Sequence, residues 1–87
     1  MLIIIHTHRL DKRLEKVSAK MQSKVAERVD MFIADKHNKL LDNHPLHGEY
    51  DGCISINITG DLRLILKEIS NDKYLAIDFG THSQLYE

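Results

Sequence analysis

Helical spacing of the apolar residues gives way to strand alternation within the stretch Asn43–Arg63, NHPLHGEYDGCISINITGDLR. Upstream, Leu10, Leu14, Val17 and Met21 recur at i, i+4, i+7 and i+11, which is one face of a helix. Downstream, Ile54, Ile56 and Ile58 alternate with Cys53, Ser55, Asn57 and Thr59, which is the period of a strand. A chain so patterned is neither all-helical nor all-β. It predicts an α+β fold in which a helical hairpin precedes an antiparallel meander. The stretch itself holds the only proline, the only cysteine, three of the four glycines and two of the six histidines.

The rest of the chain fits that frame. Leu2–Thr7 is short, β-branched and apolar and reads as a buried strand. Ser18 is placed to N-cap a second helix whose buried stripe is Met21, Val25, Val29, Phe32 and Ile33, with Lys20, Lys24, Glu27, Arg28 and Asp30 facing water. The two helices form a hairpin over a sheet, and the stripe is too short for a coiled coil. Residues 35–43 make a connector anchored by Leu40 and Leu41, and Pro45 pushes His44 into extended geometry. Gly48 and Gly52 bracket a turn, and Gly60-Asp61 a tight reversal. The strand 62–69 follows, with Leu62, Leu64 and Leu66 opposite Arg63, Ile65 and Lys67. A loop at 70–73 leads to a last strand over 74–79. The expectation is a single domain over residues 1–87, an antiparallel meander of three strands joined by the first strand, with the helices packed on one face.

Composition narrows the setting. One cysteine, Cys53, excludes an internal disulfide and suits a reducing cytoplasm. Leu2–Ile5 is too short for the core of a signal peptide, and no run is long enough to span a bilayer. The net charge of −1 is unevenly distributed: residues 1–41 carry nine Lys/Arg against five Asp/Glu, and residues 42–87 three against eight. A basic front half is either an electrostatic footprint for a polyanion or a solvated helix face.

Three motifs in order, Asn43-His44-Pro45-Leu46-x-Gly48-Glu49-Tyr50-x-Gly52, then Ser55–Asp61 followed by Arg63, then Gly80-Thr81-His82-x-x-Leu85-Tyr86, together resemble the RelE/ParE superfamily of type II toxin–antitoxin toxins, and within it the YafQ-type mRNA endoribonucleases. The resemblance spans nearly the whole chain. It implies cleavage of mRNA in the ribosomal A site with no metal or other cofactor, and a cognate antitoxin that wraps the toxin. His44, Asp61 and His82 match catalytic positions, Tyr86 the terminal aromatic, and Arg63 an arginine frequent in the superfamily. The chain departs from the pattern at Asn57, where YafQ-type toxins have a histidine, and at Leu62, where they have an aromatic. Related toxins often have tyrosine at Leu66.

Metal-free RNA cleavage needs a base for the ribose 2′-OH, a cation for the phosphorane and an acid for the departing 5′-oxygen. Histidine suits both proton transfers, and arginine or lysine the charge. This makes His44 and His82 the expected proton-transfer pair, Asp61 a base or the orienter of a histidine, and Arg63 the phosphate holder. Lys67 and Asn57 are expected to help bind substrate, and Tyr86 to stack on a base. A binding module on the same fold, either a gyrase inhibitor or a toxin that only binds its antitoxin, is the alternative. His6-Thr7-His8 is a weak metal motif lacking further ligands, His37 and His47 read as surface residues, and Cys53 as inert packing.

Overall fold

The computed structural model describes residues 2–86, with side chains as far as Leu85. Strand β1 (Ile3–His6) leads into α1 (His8–Leu14) and α2 (Ala19–Ala34). A short β2 (His44–Pro45) follows, then β3 (Cys53–Thr59), β4 (Leu62–Ser70), β5 (Lys73–Thr81) and α3 (His82–Tyr86). The five strands form one sheet in the order β1-β5-β4-β3-β2. The expected meander β3-β4-β5 is antiparallel, and β1 joins it parallel to β5.

Local chemistry sets the helix boundaries. The Thr7 side chain accepts from the Leu10 N–H and starts α1 two residues earlier than the apolar spacing predicts. Ser18 caps α2 as expected, accepting from the Met21 N–H. Val17 falls between the helices, so the stripe of Leu10, Leu14, Val17 and Met21 is divided, yet all four residues pack on one core. That core lies between the helices and one sheet face, with Leu10, Val25, Phe32, Ile56, Ile58, Leu64 and Leu66 buried. The Phe32 and Tyr74 rings meet edge to face with centroids 5.1 Å apart.

Three expectations about burial fail. β1 is an edge strand rather than a buried one, and Ile3 and Ile5 are 47% and 41% exposed. Its β-branched run reflects strand propensity, and only Ile4 points at the core. Arg28 does not simply face water. It is half-buried, and its Nη1 donates to the Leu40 carbonyl at 2.9 Å, holding the connector. Of the two leucines there, Leu41 is buried and Leu40 is 60% exposed.

The opposite sheet face carries a smaller cluster of Leu46, Cys53, Ile65 and Leu85, with Tyr50 and Ile77 against it. Thus α3 packs on the face away from α1 and α2. Cys53 is buried there, which pushes its thiol above the ordinary value and keeps it in the unreactive protonated form.

Candidate active site

The small cluster brings the two ends of the candidate site together. Leu46 extends the His44–Pro45 strand, Leu85 lies on α3, and both pack with Ile65 of β4. His44, Pro45, Leu46, His47, Asp61, Arg63 and His82 consequently line one groove of about 370 Å³. The four residues expected to carry chemistry, His44, Asp61, Arg63 and His82, are all among them.

Local sequence explains how His82 is delivered. Thr81 and Gln84 form a reciprocal cap: the Thr81 N–H donates to Gln84 Oε1 at 2.8 Å, and the Gln84 N–H to Thr81 Oγ1 at 3.2 Å. This starts α3 directly after β5, with His82 in its first turn. Gly80 makes room for the fold-back, because a Cβ there would stand 2.8 Å from Gln84 Oε1 and 3.3 Å from Gln84 Cβ. The Gly-Thr-His motif is therefore a strand-to-helix corner with histidine at its outer edge. On the other side, the Gly60-Asp61 reversal uses a positive φ of 53° at Gly60 and leaves Asp61 exposed on the groove.

Arg63 is the most constrained of the four. Asn57 and Arg63 are cross-strand partners, as are His44 and Ser55, so these residues share a sheet face. Arg63 Nε donates to Ser55 Oγ at 2.8 Å. Its Nη1 donates to Asp42 Oδ2 at 3.3 Å and its Nη2 to the Asp42 carbonyl at 3.1 Å. The side chain is 15% exposed. A guanidinium has five N–H donors, and these three bonds leave two, both on the terminal nitrogens, for a ligand in the groove.

Asp42 is the residue that sequence reasoning missed. Its backbone is left-handed, with φ 46°, a conformation that aspartate tolerates better than most residues but that still carries strain. That turn aims the Asp42 carbonyl at His44, whose Nδ1 lies 2.9 Å away. A carbonyl only accepts, so this contact assigns the ring proton to Nδ1 and leaves Nε2 with a lone pair. Arg63 Nη2 lies 3.3 Å from the same Nδ1 and could donate to it only in the other tautomer. The shorter contact decides for Nδ1–H. The group that orients His44 is thus the Asp42 carbonyl. The detectable signal was an Asp-Asn pair just before His-Pro, a composition that favours left-handed turns. Replacing Asp42 with asparagine keeps the turn and the carbonyl and removes only the ion pair with Arg63. The expected result is a loss of activity under tenfold with unchanged melting, whereas Asp42→Ala should in addition cost stability of about 1 kcal/mol. Parallel thermal melts and rate measurements separate the two.

Other expected contributors lie apart. Asn57 is half-buried beside Arg63, and Lys67 is exposed further along β4; neither lines the groove. The Tyr86 side chain lies outside the described residues. His47, read as an ordinary surface residue, is exposed but is part of the groove wall. His6 pairs with Asp11, Nδ1 to Oδ1 at 3.2 Å.

No family model and no curated protein sequence matches the chain. Solved structures do. YafQ from E. coli strain BL21(DE3) superposes with a TM-score of 0.81 at 16% identity over 100% of both chains. A chain of the E. coli DinJ–YafQ toxin–antitoxin complex gives 0.79 at 19% identity, covering 99% of this chain and 98% of that one. The YoeB/ParE toxin from Agrobacterium tumefaciens gives 0.75 at 21% identity, covering 94% and 99%. The chain has the fold of the RelE-type toxins.

Proposed function

We propose that the protein is the toxin of a type II toxin–antitoxin pair and cleaves mRNA in the ribosomal A site by metal-independent acid–base chemistry. The observation that carries this reading is the convergence of His44, Asp61, Arg63 and His82 on one groove. His44 Nε2 takes the proton of the ribose 2′-OH as that oxygen attacks phosphorus. The free N–H groups of Arg63 stabilise the phosphorane. His82 gives a proton to the departing 5′-oxygen, so the products are a 2′,3′-cyclic phosphate and a 5′-hydroxyl. Asp61 adds a carboxylate at the groove edge that can receive or return protons.

The partner reading rests on likeness. YafQ is solved with DinJ as a toxin–antitoxin complex, and the RelBE2 toxin–antitoxin complex of Mycobacterium tuberculosis shares the fold with a TM-score of 0.74. An antitoxin that covers the groove is the corresponding partner here. Among the described residues no helix is long and apolar enough to cross a membrane, which accords with a site of action at cytoplasmic ribosomes.

Primer extension on mRNA in a translating extract tests the reading. New 5′-hydroxyl ends within ribosome-covered codons, dependent on translation, are expected; an intact transcript in the presence of folded protein rejects it. A non-cleaving binding module is the second reading, favoured by Asn57 in place of a histidine and by the engagement of Arg63 with Asp42 and Ser55. That reading predicts no cuts, and in its gyrase-inhibitor form a loss of DNA supercoiling activity.

A further inference from the structure

Next to the candidate active site lies a second groove, of about 410 Å³, whose walls include Arg13, Lys16, Leu62, Thr81 and Gln84. Leu62 and Thr81 are cross-strand partners at the start of β4 and the end of β5. Each is the chain neighbour of an active-site residue, Asp61 and His82. The end of this ladder is therefore a wall common to both grooves.

The polar side chains of the second groove are two cations, Arg13 and Lys16, and two neutral groups, Thr81 and Gln84. Lys16 is exposed, and none of the lining residues is acidic. Arg13 Nε donates to Asp78 Oδ1 at 2.8 Å, which fixes the guanidinium plane and leaves its terminal nitrogens for a ligand. Asp78 is buried and also binds Arg9 Nη2 at 3.0 Å, so two cations share one carboxylate and a positive charge remains. The cap at the head of α3 uses Thr81 Oγ1 and Gln84 Oε1 as acceptors. Their own donors, the Thr81 hydroxyl and the Gln84 amide nitrogen, are left over. A set of cations and neutral donors with no acid matches a phosphodiester oxygen pair. A third groove, on the far side of the β3–β4 turn, holds Lys20 and Lys24, but Glu27 lines it too and pairs with Lys24 at 3.3 Å, which makes it the weaker anion site.

We infer that the second groove binds a backbone phosphate of the same RNA strand, flanking the phosphate that is cleaved, with Lys16 and Arg13 as its cationic partners. This rests on the ribonuclease reading above and extends its substrate site by one nucleotide. Lys16 is the residue to test, because it is exposed and outside the proposed catalytic set. Ribosomes programmed with synthetic mRNA are the substrate, carrying one neutral methylphosphonate linkage either 5′ or 3′ of the cut. For Lys16→Gln on unmodified mRNA, KM should rise on the order of fivefold with kcat unchanged, the pattern of lost uniform binding. For the parent protein, one of the two methylphosphonates should cost a similar factor. For Lys16→Gln that same linkage should cost almost nothing further, because the two changes remove one contact. Equal penalties in both proteins, or no penalty in the parent at either linkage, overturn this inference and leave the ribonuclease reading standing. A parent protein that cuts no mRNA overturns both.

Discussion

On the ribonuclease reading proposed above, His44→Ala should lower the rate of mRNA cleavage by about 10²- to 10⁴-fold and leave the melting temperature where it was. The stability half of this expectation follows from exposure. The His44 ring is 47% exposed, and its polar contacts among the described residues are with Asp42 and Arg63. Surface substitutions of this kind usually change stability by less than about 0.5 kcal/mol. The rate half follows from the tautomer: with the proton on Nδ1, Nε2 is the nitrogen that keeps a lone pair, and alanine has nothing to replace it. His82→Ala should cost a comparable factor, yet for a different reason, and one substrate tells them apart. An mRNA with sulfur in place of the 5′-bridging oxygen has a leaving group that departs without a proton. His82→Ala should regain most of its lost rate on that substrate, and His44→Ala should not. If the thiol leaving group rescues His44→Ala instead, the two roles are exchanged. If neither variant is impaired on ordinary mRNA, the groove is not the place of cleavage.

Much of this arrangement was legible in the sequence, for identifiable reasons. The change of period at Asn43–Arg63 gave the order of helices and strands, because side-chain alternation is dictated by backbone geometry whatever the tertiary context. Ser18 as a cap and Ile54, Ile56 and Ile58 as a core face were readable on the same grounds. The convergence of His44 and His82 was not a matter of periodicity; it came from resemblance, and the structure supplies its cause in Leu46 and Leu85 packing on Ile65. Asp42 stayed hidden because a left-handed residue leaves no periodic trace. Arg28 was misplaced because helical spacing says which way a side chain leaves the helix and nothing about where the connector returns. β1 was misjudged because a β-branched run looks the same in a central strand and at an edge.

Asp78→Ala should be the most destabilising polar substitution in the chain, costing about 3 kcal/mol, the lower end of the range for breaking a buried ion pair. The strand 74–79 gave no warning of it. Simple alternation puts Asp78 on the same side as Tyr74 and Ala76, within the main core. The bulge changes that: Ile65 pairs with Asp78 and Leu66 with Ala76, so Ile77 is the extra residue and Asp78 turns to the other face. β1 pairs with β5 only as far as Ala76, where the Thr7 N–H and hydroxyl close the ladder on the Ala76 carbonyl. Beyond that point α1 runs beside β5 and sends Arg9 and Arg13 to the carboxylate at 3.0 and 2.8 Å. The Phe79 N–H donates to it at 2.8 Å, and the Tyr50 hydroxyl at 3.4 Å. Alanine would strand the buried Phe79 N–H, whose acceptor belongs to a side chain that is only 1% exposed. The arginines moderate the loss, being 60% and 36% exposed and able to turn outward; this is why the lower end of the range applies. At about 4–8 °C per kcal/mol for a domain of this size, the melting temperature should fall by on the order of 12–24 °C. Asp78→Asn retains an acceptor oxygen for the Phe79 N–H and should fall between the parent and the alanine variant. A drop below about 5 °C for alanine would mean that the two arginine pairs behave as surface salt bridges, worth no more than about 1 kcal/mol, and that the carboxylate does not tie α1 to the sheet.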